Sequence, residues 1–364
     1  MNVLVMGGGK SGEHEVSLVS AAAIIRNIDI AKHTVYAAGV SKDGRWFLQD
    51  DRELERLRND KTASLRIAED TPLSVVPGEG LFAQGKRLPA DIVFPALHGT
   101  FGEDGTIQGL FELAELPYAG CGVLASSVAM DKEKTKLLWT QAKLPVVPWV
   151  TVAKADERRF ALLLDEAESQ LGYPLFVKPA NAGSSVGISK AKDRTALEAA
   201  LGEALKWDDK VLIEKAVDAR EIECSIIGDG VLDGDITVYA AGEVSPRHEF
   251  YDYDAKYTDP EGAALLIPAQ LNADKLTEVR EIAAKAYAAL DCSGLSRLDF
   301  FLDKKTGALY LNEINTMPGF TPISMFPKIC AQAGLSYPDL IEHLLQAGIR
   351  RFRARRSLST SLLR

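Results

Sequence analysis

The hairpin-like stretch at residues 294–320 carries the side chains best suited to chemistry. Asp299 lies in one apolar run, and Glu313 and Asn315 close a second run beyond a turn at 304–307. Side chains alternate across a strand, so Glu313 and Asn315 share a face, and antiparallel pairing would place Asp299 opposite them. Carboxylate and amide oxygens suit Mg²⁺, which adds water and substrate phosphates. A divalent-metal site is therefore predicted rather than a solvated acidic face, because acids inside apolar runs are costly without a partner.

A loop rich in glycine and serine follows a predicted strand at 175–178 and precedes another at 187–190. The first strand delivers Lys178, and the loop then offers the donors of Ser184 and Ser185. Glycine permits the close backbone approach that a phosphate cradle requires, and a lysine acts on phosphates as a point charge. A flexible loop with a surface lysine is the alternative. The metal-type hairpin further along the chain favours phosphate binding.

Three further charged residues lie near these two segments. Glu214 ends an apolar strand predicted at 210–215, where its carboxylate either accepts hydrogen bonds from an adenine amine or a ribose hydroxyl, or is solvated. Glu221 is placed similarly. Arg297 shares a face with Asp299, so it either stabilises a developing oxyanion or forms a structural ion pair.

Two more segments have open interpretations. His98 ends a strand predicted at 91–97, at the sheet edge where doubly wound folds bind ligands, but a satisfied structural histidine is equally compatible. Residues 248–262 carry four aromatic residues without clear periodicity. Such a long irregular segment is typical of an active-site lid, and the alternative is a surface loop whose aromatic residues pack down.

The pattern G-x-G-x-x-G at residues 7–12 follows a strand and precedes a helix, as in dinucleotide-binding domains. The acidic residue that should close the second strand, at 34–40, is missing, and Leu4 stands where a P-loop needs glycine. The loop still offers N–H groups at a helix N-terminus. Glu13 and Glu15 within it would repel a phosphate and attract an ammonium group.

Size and composition are typical of a soluble globular protein of two or three domains, with 364 residues and 26% charged residues. No apolar run approaches the roughly 20 residues that span a bilayer, and the N-terminus does not resemble a signal peptide. Four separated cysteines without a CxxC motif favour buried thiols and a reducing cytoplasm. The net charge of −9 argues against a general nucleic-acid binder. The basic terminus at 350–364 is predicted to be a disordered tail.

Taken in order, these motifs resemble the D-alanine–D-alanine ligase family of the ATP-grasp superfamily, over residues 2–349. The segments that carry the resemblance are GGKSGEHEVS, ALHGTFGEDGTIQG, MDK, FVKPANAGSSVGISK, VLIEK, FYDYDAKY and RLDFF…LNEINTMPGF.

The resemblance implies an α/β fold that becomes α+β in its ATP-binding part. A Rossmann-like N-terminal domain at 1–129 would carry the substrate loop. A central ATP-grasp subdomain at 130–217 and a C-terminal subdomain at 218–349, with the metal site and the lid, would hold ATP between their antiparallel sheets. The glycine pattern would then shape a substrate loop instead of binding a dinucleotide.

The implied reaction is the ATP-dependent ligation of two D-alanines through an acyl phosphate, which supplies the dipeptide of cell-wall peptidoglycan. Glu13, Ser184 and Tyr257 would form a hydrogen-bonded trio. Glu13 would also contact the first ammonium group, and the substrate would contact His98, Ser324 and Met325. ATP would be bound by Lys132, Lys178, Ser185, Glu214, Glu221 and Lys256. Two Mg²⁺ ions, which Mn²⁺ can replace, would be bound by Asp299, Glu313 and Asn315, and the oxyanion would be stabilised by Arg297 and the Gly319 N–H.

Other functions remain open from the sequence. A relative could use D-lactate or D-serine as acceptor, although Tyr257 favours the dipeptide. A nicotinamide-dependent oxidoreductase would use the glycine pattern, but the acidic residue missing after the second strand counts against it. A nucleotide-binding regulator would lack catalysis, but the complete set of lysines and metal ligands counts against that. The resemblance also implies a cytoplasmic homodimer that binds neither membrane nor nucleic acid.

Overall fold

The computed structural model describes residues 1–184, 186–232, 234–246 and 263–359. The strands of its N-terminal part are β1 (Asn2–Gly8), β2 (Thr34–Val40), β3 (Trp46–Leu48), β4 (Leu73–Val76), β5 (Gly80–Ala83), β6 (Lys86–Arg87) and β7 (Ile92–Pro95). Four of them form a sheet in the order β3-β2-β1-β7, in which β1 runs parallel to β2 and β7. The apolar run of β1 is fully buried, as expected for a parallel strand that is covered on both faces.

The helices of this part are α1 (His14–Asn27), α2 (Asp51–Asn59) and α3 (Thr106–Leu113). The predicted alternation of strand and helix is confirmed. Residues 41–90 form β3, α2 and a small antiparallel sheet, β4-β5-β6. Helix α2 begins where the Asp50 side chain accepts a hydrogen bond from the Glu53 N–H at 3.0 Å, which satisfies one of the free donors of the first turn.

Two helices lead into the middle part, α4 (Val123–Met130) and α5 (Lys132–Gln141). The chain breaks between them at Asp131, whose carboxylate caps α5 by accepting from the N–H groups of Glu133 and Lys134. The strands that follow are β8 (Trp149–Ala153), β9 (Leu175–Pro179), β10 (Ser189–Ala191) and β11 (Lys210–Lys215). They form an antiparallel sheet in the order β10-β9-β11-β8, packed against α6 (Phe160–Leu171) and α7 (Arg194–Ala204).

The last sheet contains β12 (Ala219–Asp229), β13 (Ile236–Pro246), β14 (Ala263–Leu266), β15 (Ser293–Asp303) and β16 (Leu309–Asn315), in the order β14-β13-β12-β15-β16. One face of this sheet packs on α8 (Ala273–Ala288). The chain closes with α9 (Met325–Gln332) and α10 (Tyr337–Arg356). The predicted α/β class is confirmed, while the domain boundaries at residues 129 and 217 stay predictions.

Helix α10 packs on the N-terminal sheet although it lies at the opposite end of the sequence. Its buried residues, among them Leu340 and Leu344, share one core with residues of α1 and with Phe94 of β7. The approach is close at Gly348, where a Cβ atom would lie 2.4 Å from the Tyr118 carbonyl oxygen. Only glycine allows this contact, because any side chain would force the helix away.

The prediction of a disordered tail from residue 350 is wrong for residues 350–356, which form the last turns of α10. Arg351 explains the error, because it is buried and its guanidinium donates to the carbonyls of Gly120 and Tyr118 and to the Ser293 hydroxyl. The guanidinium also lies 4.2 Å from the centre of the Tyr118 ring. These partners are distant in sequence, so a local reading of arginine-rich composition misses them.

The cysteines Cys121, Cys224, Cys292 and Cys330 are buried free thiols, as predicted. Among helices of the described residues, none combines the length and apolar character that a membrane crossing requires.

We expect Arg351→Met to lower the free energy of unfolding by about 2–3 kcal/mol, because the buried carbonyls of Gly120 and Tyr118 lose their donor. The exposed Arg353 on the same helix provides the matched control, and Arg353→Met should change the value by less than about 0.5 kcal/mol. Urea unfolding followed by circular dichroism measures both. Equal midpoints for the two variants would contradict the anchoring role.

Candidate functional site

A cavity of about 580 Å³ lies where the three parts of the chain meet. The N-terminal part contributes Glu13 and His98, and the middle part contributes Lys132 and Ser184. The C-terminal part provides the largest share of the lining, namely Glu223, Val244, Leu265, Arg297, Glu313, Ile314, Asn315 and residues 316–319, with Thr321, Ile323, Ser324, Met325 and Lys328. The cavity thus collects most of the described site residues that the sequence predicted.

Glu13 and Ser184 join the N-terminal part to the middle part across this cavity. The Ser184 hydroxyl donates to Glu13 Oε1 at 2.6 Å, and Ser184 has a φ of 50°, in the left-handed region that few side chains adopt. A Cβ atom on Gly99 would lie 2.6 Å from Glu13 Oε2, so glycine is needed there. The predicted pairing of Glu13 with Ser184 is therefore present in the structure.

The glycine pattern at residues 7–12 does not present its donors to a phosphate. The Gly8 N–H donates to the Ser17 hydroxyl at 2.8 Å, and the Gly9 N–H donates to the Val40 carbonyl at 2.8 Å. A pyrophosphate site at this turn needs such groups to be available. Because these two N–H groups bond within the protein, we interpret the loop as one that shapes the cavity wall at Glu13.

His98 is buried, and both of its ring nitrogens are engaged. Nδ1 lies 2.9 Å from the Met317 carbonyl, which can only accept, so Nδ1 carries the proton and Nε2 accepts from the Ser20 hydroxyl at 2.8 Å. Ser20 Oγ in turn accepts from the Phe320 N–H at 3.2 Å. Burial lowers the pKa of His98, so the imidazole is neutral and ties the loop at 317–320 to α1. Its side chain also lines the cavity, and direct contact with substrate stays a prediction.

Glu103 is a site residue for which no role was predicted from the sequence. Its carboxyl group accepts from the Gly99 N–H at 2.7 Å and from the Met317 N–H at 3.0 Å, and therefore connects the loop after β7 to the loop after β16. Burial, and then the nearby Glu13 carboxylate, raise the pKa of Glu103 to about 8. The two backbone N–H groups oppose this rise without cancelling it, so Glu103 is mostly protonated at neutral pH.

The hairpin of β15 and β16 pairs Asp299 with Glu313 and Arg297 with Asn315, which confirms that Asp299 lies opposite the acidic end of β16. The register then shifts by one residue, so Asn312 is the extra residue of a β-bulge. Leu311 and Ile314 both face the core, whereas Glu313 and Asn315 line the cavity. The three-residue spacing of these two apolar positions was the sequence signal for the bulge.

Arg297 lies within this group of oxygen ligands. Its Nε and Nη2 atoms donate to the two Asp299 oxygens at 2.7 and 2.6 Å, and Asn315 Nδ2 donates to Asp299 Oδ2 at 3.1 Å. Glu223 on β12 places Oε2 3.1 Å from Arg297 Nε. Burial disfavours the guanidinium charge, but the Asp299 and Glu223 carboxylates outweigh it and raise the pKa of Arg297.

Sequence reasoning missed Glu223. The alternation of Glu221, Glu223 and Ser225 with Ile222 and Cys224 placed it on the polar face of β12, but only Glu221 was singled out. Glu221 is half-buried and lies outside the cavity lining, so its contact with a nucleotide stays a prediction.

The lysines predicted to bind phosphate occupy two settings. Lys132 Nζ donates to the Ala182 carbonyl at 2.6 Å and lies 3.8 Å from Glu313 Oε2. Lys178 is nearly buried, and its Nζ lies 2.6 Å from Glu214 Oε2 and 3.3 Å from Asn312 Oδ1. The bulge residue thus connects the lysine strand to the metal-type hairpin.

Glu214 is 2% exposed, so the solvated alternative for it is wrong. A second buried lysine, Lys136, lies 3.0 Å from its Oε1 atom. Burial would raise the pKa of Glu214, but Lys136 and Lys178 outweigh it and lower that pKa to about 2. The sequence did not reveal this Lys136–Glu214–Lys178 cluster, because its members come from α5, β9 and β11. A contact of Glu214 with adenosine stays a prediction.

Gly319, Ser324 and Met325 lie together at the start of α9. The Ser324 hydroxyl accepts from the Thr321 N–H at 3.0 Å, and a Cβ atom on Gly319 would lie 2.7 Å from Ser324 Oγ. Met325 packs closely on β13, where a Cβ atom on Gly242 would lie 2.5 Å from its sulfur. Gly319, Ser324 and Met325 all line the cavity, while the roles of Gly319 at the oxyanion and of Ser324 and Met325 at the substrate stay predictions.

Ser185, Lys256, Tyr257 and the predicted lid at 248–262 lie outside the described residues. Their roles stay predictions.

Comparison with known proteins agrees with this geometry. The family model "D-ala D-ala ligase N-terminus" matches residues 2–121, and "D-ala D-ala ligase C-terminus" matches residues 138–346. A D-alanine–D-alanine ligase of Treponema denticola is 51% identical, with 99% of each chain covered, and one of Heliobacterium modesticaldum is 44% identical, covering 99% of this chain and 98% of the relative.

Two solved structures are also similar. The D-alanine–D-alanine ligase of Coxiella burnetii has a TM-score of 0.83 at 32% identity, covering 98% of this chain and 97% of that one. A D-Ala:D-Ser ligase of Enterococcus faecalis has a TM-score of 0.82 at 33% identity, covering 95% and 99%. The predicted Rossmann-like and ATP-grasp architecture is thereby confirmed. From the matching family models, the identities and the shared fold, this chain belongs to the D-alanine–D-alanine ligase family.

Proposed function

We propose that the protein joins two D-alanines to D-alanyl-D-alanine at the expense of ATP, through an acyl phosphate, for peptidoglycan synthesis. One observation carries the proposal: the Glu13–Ser184 pair lines the same cavity as Arg297 and Glu313, and Arg297 is bonded to Asp299 directly behind the cavity wall. An ammonium-binding carboxylate then faces a site for phosphate and a developing oxyanion. This is the arrangement that amide formation through an acyl phosphate needs.

Glu13 would hold the ammonium group of the first D-alanine. Its carboxylate lines the cavity, and the Ser184 hydroxyl fixes one of its oxygens. The neighbouring Glu103 already accepts two backbone N–H groups, so Glu13 is the carboxylate placed to receive a cation here. A charge-assisted contact of this kind contributes about 1.5–3 kcal/mol.

ATP would bind where Lys132 and Lys178 lie. The buried Lys136 and Lys178 both pair with Glu214, so one carboxylate serves two lysines. Burying excess charge is costly unless a counterion arrives, and a nucleotide phosphate supplies one. The predicted contacts of Ser185, Glu221 and Lys256 would extend this binding.

The hairpin oxygens fit Mg²⁺ or Mn²⁺. Glu313 and Asn315 are hard oxygen donors on one cavity wall, Asp299 is paired with Glu313 on the adjacent strand, and Lys132 beside Glu313 places a phosphate-binding cation next to them. Bound there, the metal would neutralise charge on the transferring phosphate. We propose two such ions, as the family resemblance implies.

The second D-alanine would bind beside the start of α9, with its carboxylate at Ser324 and Met325. Its amine, after losing a proton, would attack the acyl carbon of the acyl phosphate, and the oxyanion of the tetrahedral intermediate would lie between the Arg297 guanidinium and the Gly319 N–H. The intermediate would then break its C–O bond to phosphate and release inorganic phosphate as the amide forms. Holding the two reactants together could supply up to roughly 7–11 kcal/mol of the barrier. Excluding water matters, because an acyl phosphate hydrolyses.

Purified protein with ATP, Mg²⁺ and D-alanine should release one phosphate for each dipeptide formed. D-Serine and D-lactate offered in competition test the acceptor, since a D-Ala:D-Ser ligase shares this fold. We expect D-alanyl-D-alanine as the main product by mass spectrometry. Absence of both phosphate and dipeptide would reject the proposal, and a mainly D-serine product would reject the assigned acceptor.

Glu13→Gln should raise the KM for the first D-alanine by roughly 10–100-fold, because the neutral amide loses its attraction for the ammonium group. The matched control is Glu15→Gln, two residues away, where the exposed carboxylate pairs with Lys42 at 2.8 Å. That change should leave the KM nearly unaltered. Initial rates over a D-alanine titration measure both, and equal effects would contradict a specific role for Glu13.

We also propose a cytoplasmic homodimer. An apolar surface around α3 supports dimerisation, since Leu113 is 66% exposed and Phe101 is 48% exposed beside a second cavity of about 540 Å³. Buried free thiols and the use of ATP fit the cytoplasm.

If α3 forms the dimer contact, Leu113→Arg should shift the protein towards monomers at micromolar concentration, because an unpaired charge would be buried. Leu162→Arg on α6, at 67% exposure, is the control and should leave the assembly unchanged. Sedimentation velocity distinguishes the two species. A Leu113→Arg protein that sediments like the wild type would place the contact elsewhere.

A further inference from the structure

Arg297 lies between two carboxylates on adjacent strands. In the pairing of β12 with β15, Glu223 is directly opposite Asp299, and Ser225 is opposite Arg297. The three charged side chains are largely buried, with 19% of Arg297, 13% of Asp299 and 9% of Glu223 exposed. Any change in the charge on Asp299 is therefore felt by Arg297 at short range.

In the structure, Arg297 donates its hydrogen bonds to Asp299 and not to Glu223. Arg297 Nε carries one hydrogen, and it donates to Asp299 Oδ1 at 2.7 Å. Glu223 Oε2 lies 3.1 Å from the same nitrogen, within the distance of a hydrogen bond. A small rotation of the guanidinium would transfer this N–H from Asp299 to Glu223.

The proposed metal would compete with this arrangement. Asp299 Oδ2 already accepts from Arg297 Nη2 at 2.6 Å and from Asn315 Nδ2 at 3.1 Å. A divalent cation on Asp299 would share its carboxylate with a guanidinium that repels it. A buried guanidinium cannot leave one carboxylate cheaply unless a second one receives it.

We propose that Glu223 is a positioning residue that receives the Arg297 guanidinium when Asp299 turns to the metal. The inference rests on the proposed function, because it needs the metal at Asp299 and Glu313. Glu223 then has two effects: it releases Asp299 for the cation, and it keeps Arg297 in the cavity, next to the position of the oxyanion. Glu223 itself touches neither substrate nor metal in this role.

The test is a double-mutant cycle with metal affinity as its readout. Protein saturated with a non-hydrolysable ATP analogue is titrated with Mn²⁺, and free Mn²⁺ is measured by electron paramagnetic resonance. Glu223→Gln keeps the shape of the side chain and removes its charge. We expect Mn²⁺ affinity to fall by about 5–50-fold, since Arg297 then stays on Asp299.

A second variant, Arg297→Met, distinguishes two reasons why Glu223→Gln could weaken Mn²⁺ binding. One reason is that the guanidinium can no longer transfer to Glu223, and the other is that the cavity has lost a negative charge. In the Arg297→Met background, Asp299 has no guanidinium to release, so adding Glu223→Gln should change Mn²⁺ affinity by less than about twofold. An equal fall in both backgrounds would show that Glu223 only adds charge, and would overturn the inference. So would wild-type affinity in the Glu223→Gln protein.

Glu243→Gln is the matched control. Glu243 is a buried carboxylate in the same sheet that pairs with Arg220 through two bonds of 2.7 Å, and it does not line the cavity. This variant should bind Mn²⁺ like the wild type. Failure of the proposed function has a different signature, because the wild-type protein would then bind no more Mn²⁺ than the nucleotide analogue binds in a titration without protein, which overturns the metal site together with the transfer to Glu223.

Discussion

Neutralisation of buried charge is the constraint on which the cavity depends. Glu214 receives two buried lysines, and Arg297 lies between Asp299 and Glu223. Each group would be expensive to bury alone, since an isolated charge in a protein interior costs several kcal/mol. The paired strands lower that cost, because their register brings opposite charges from neighbouring strands within about 3 Å. The sheets therefore fix where the charges lie before any ligand arrives.

The protein loops around the cavity are connected by backbone hydrogen bonds to buried side chains. His98 and Glu103 both contact Met317, one through its carbonyl and the other through its N–H. The loop that carries Gly319 is thus held from the N-terminal part, although it follows a strand of the C-terminal sheet. Preorganised donors of this kind do not need to be reoriented when charge develops during a reaction.

Much of this arrangement was predictable from local patterns, and the remainder was not. The hairpin was found because alternation and apolar spacing report which face a side chain takes, and Asp299 and Glu313 do lie opposite each other. Glu223 and Lys136 were missed because their importance comes from partners more than 70 residues away. Residues 350–356 were misjudged for the same reason, since a long-range contact of Arg351 decides that they are helical. Resemblance to a family supplied roles that no local pattern could give.

The packing of α10 on the N-terminal sheet has a consequence for how the chain is made. The core that contains Phe94 and α1 is completed by Leu340 and Leu344, which are near the end of the sequence. Helix α1 covers part of that face, but the N-terminal sheet cannot finish burying it until residues 340–344 have been synthesised. Until then, the uncovered part of that face remains an apolar surface in need of protection, and the N-terminal sheet and α10 become one folding unit only when both have left the ribosome.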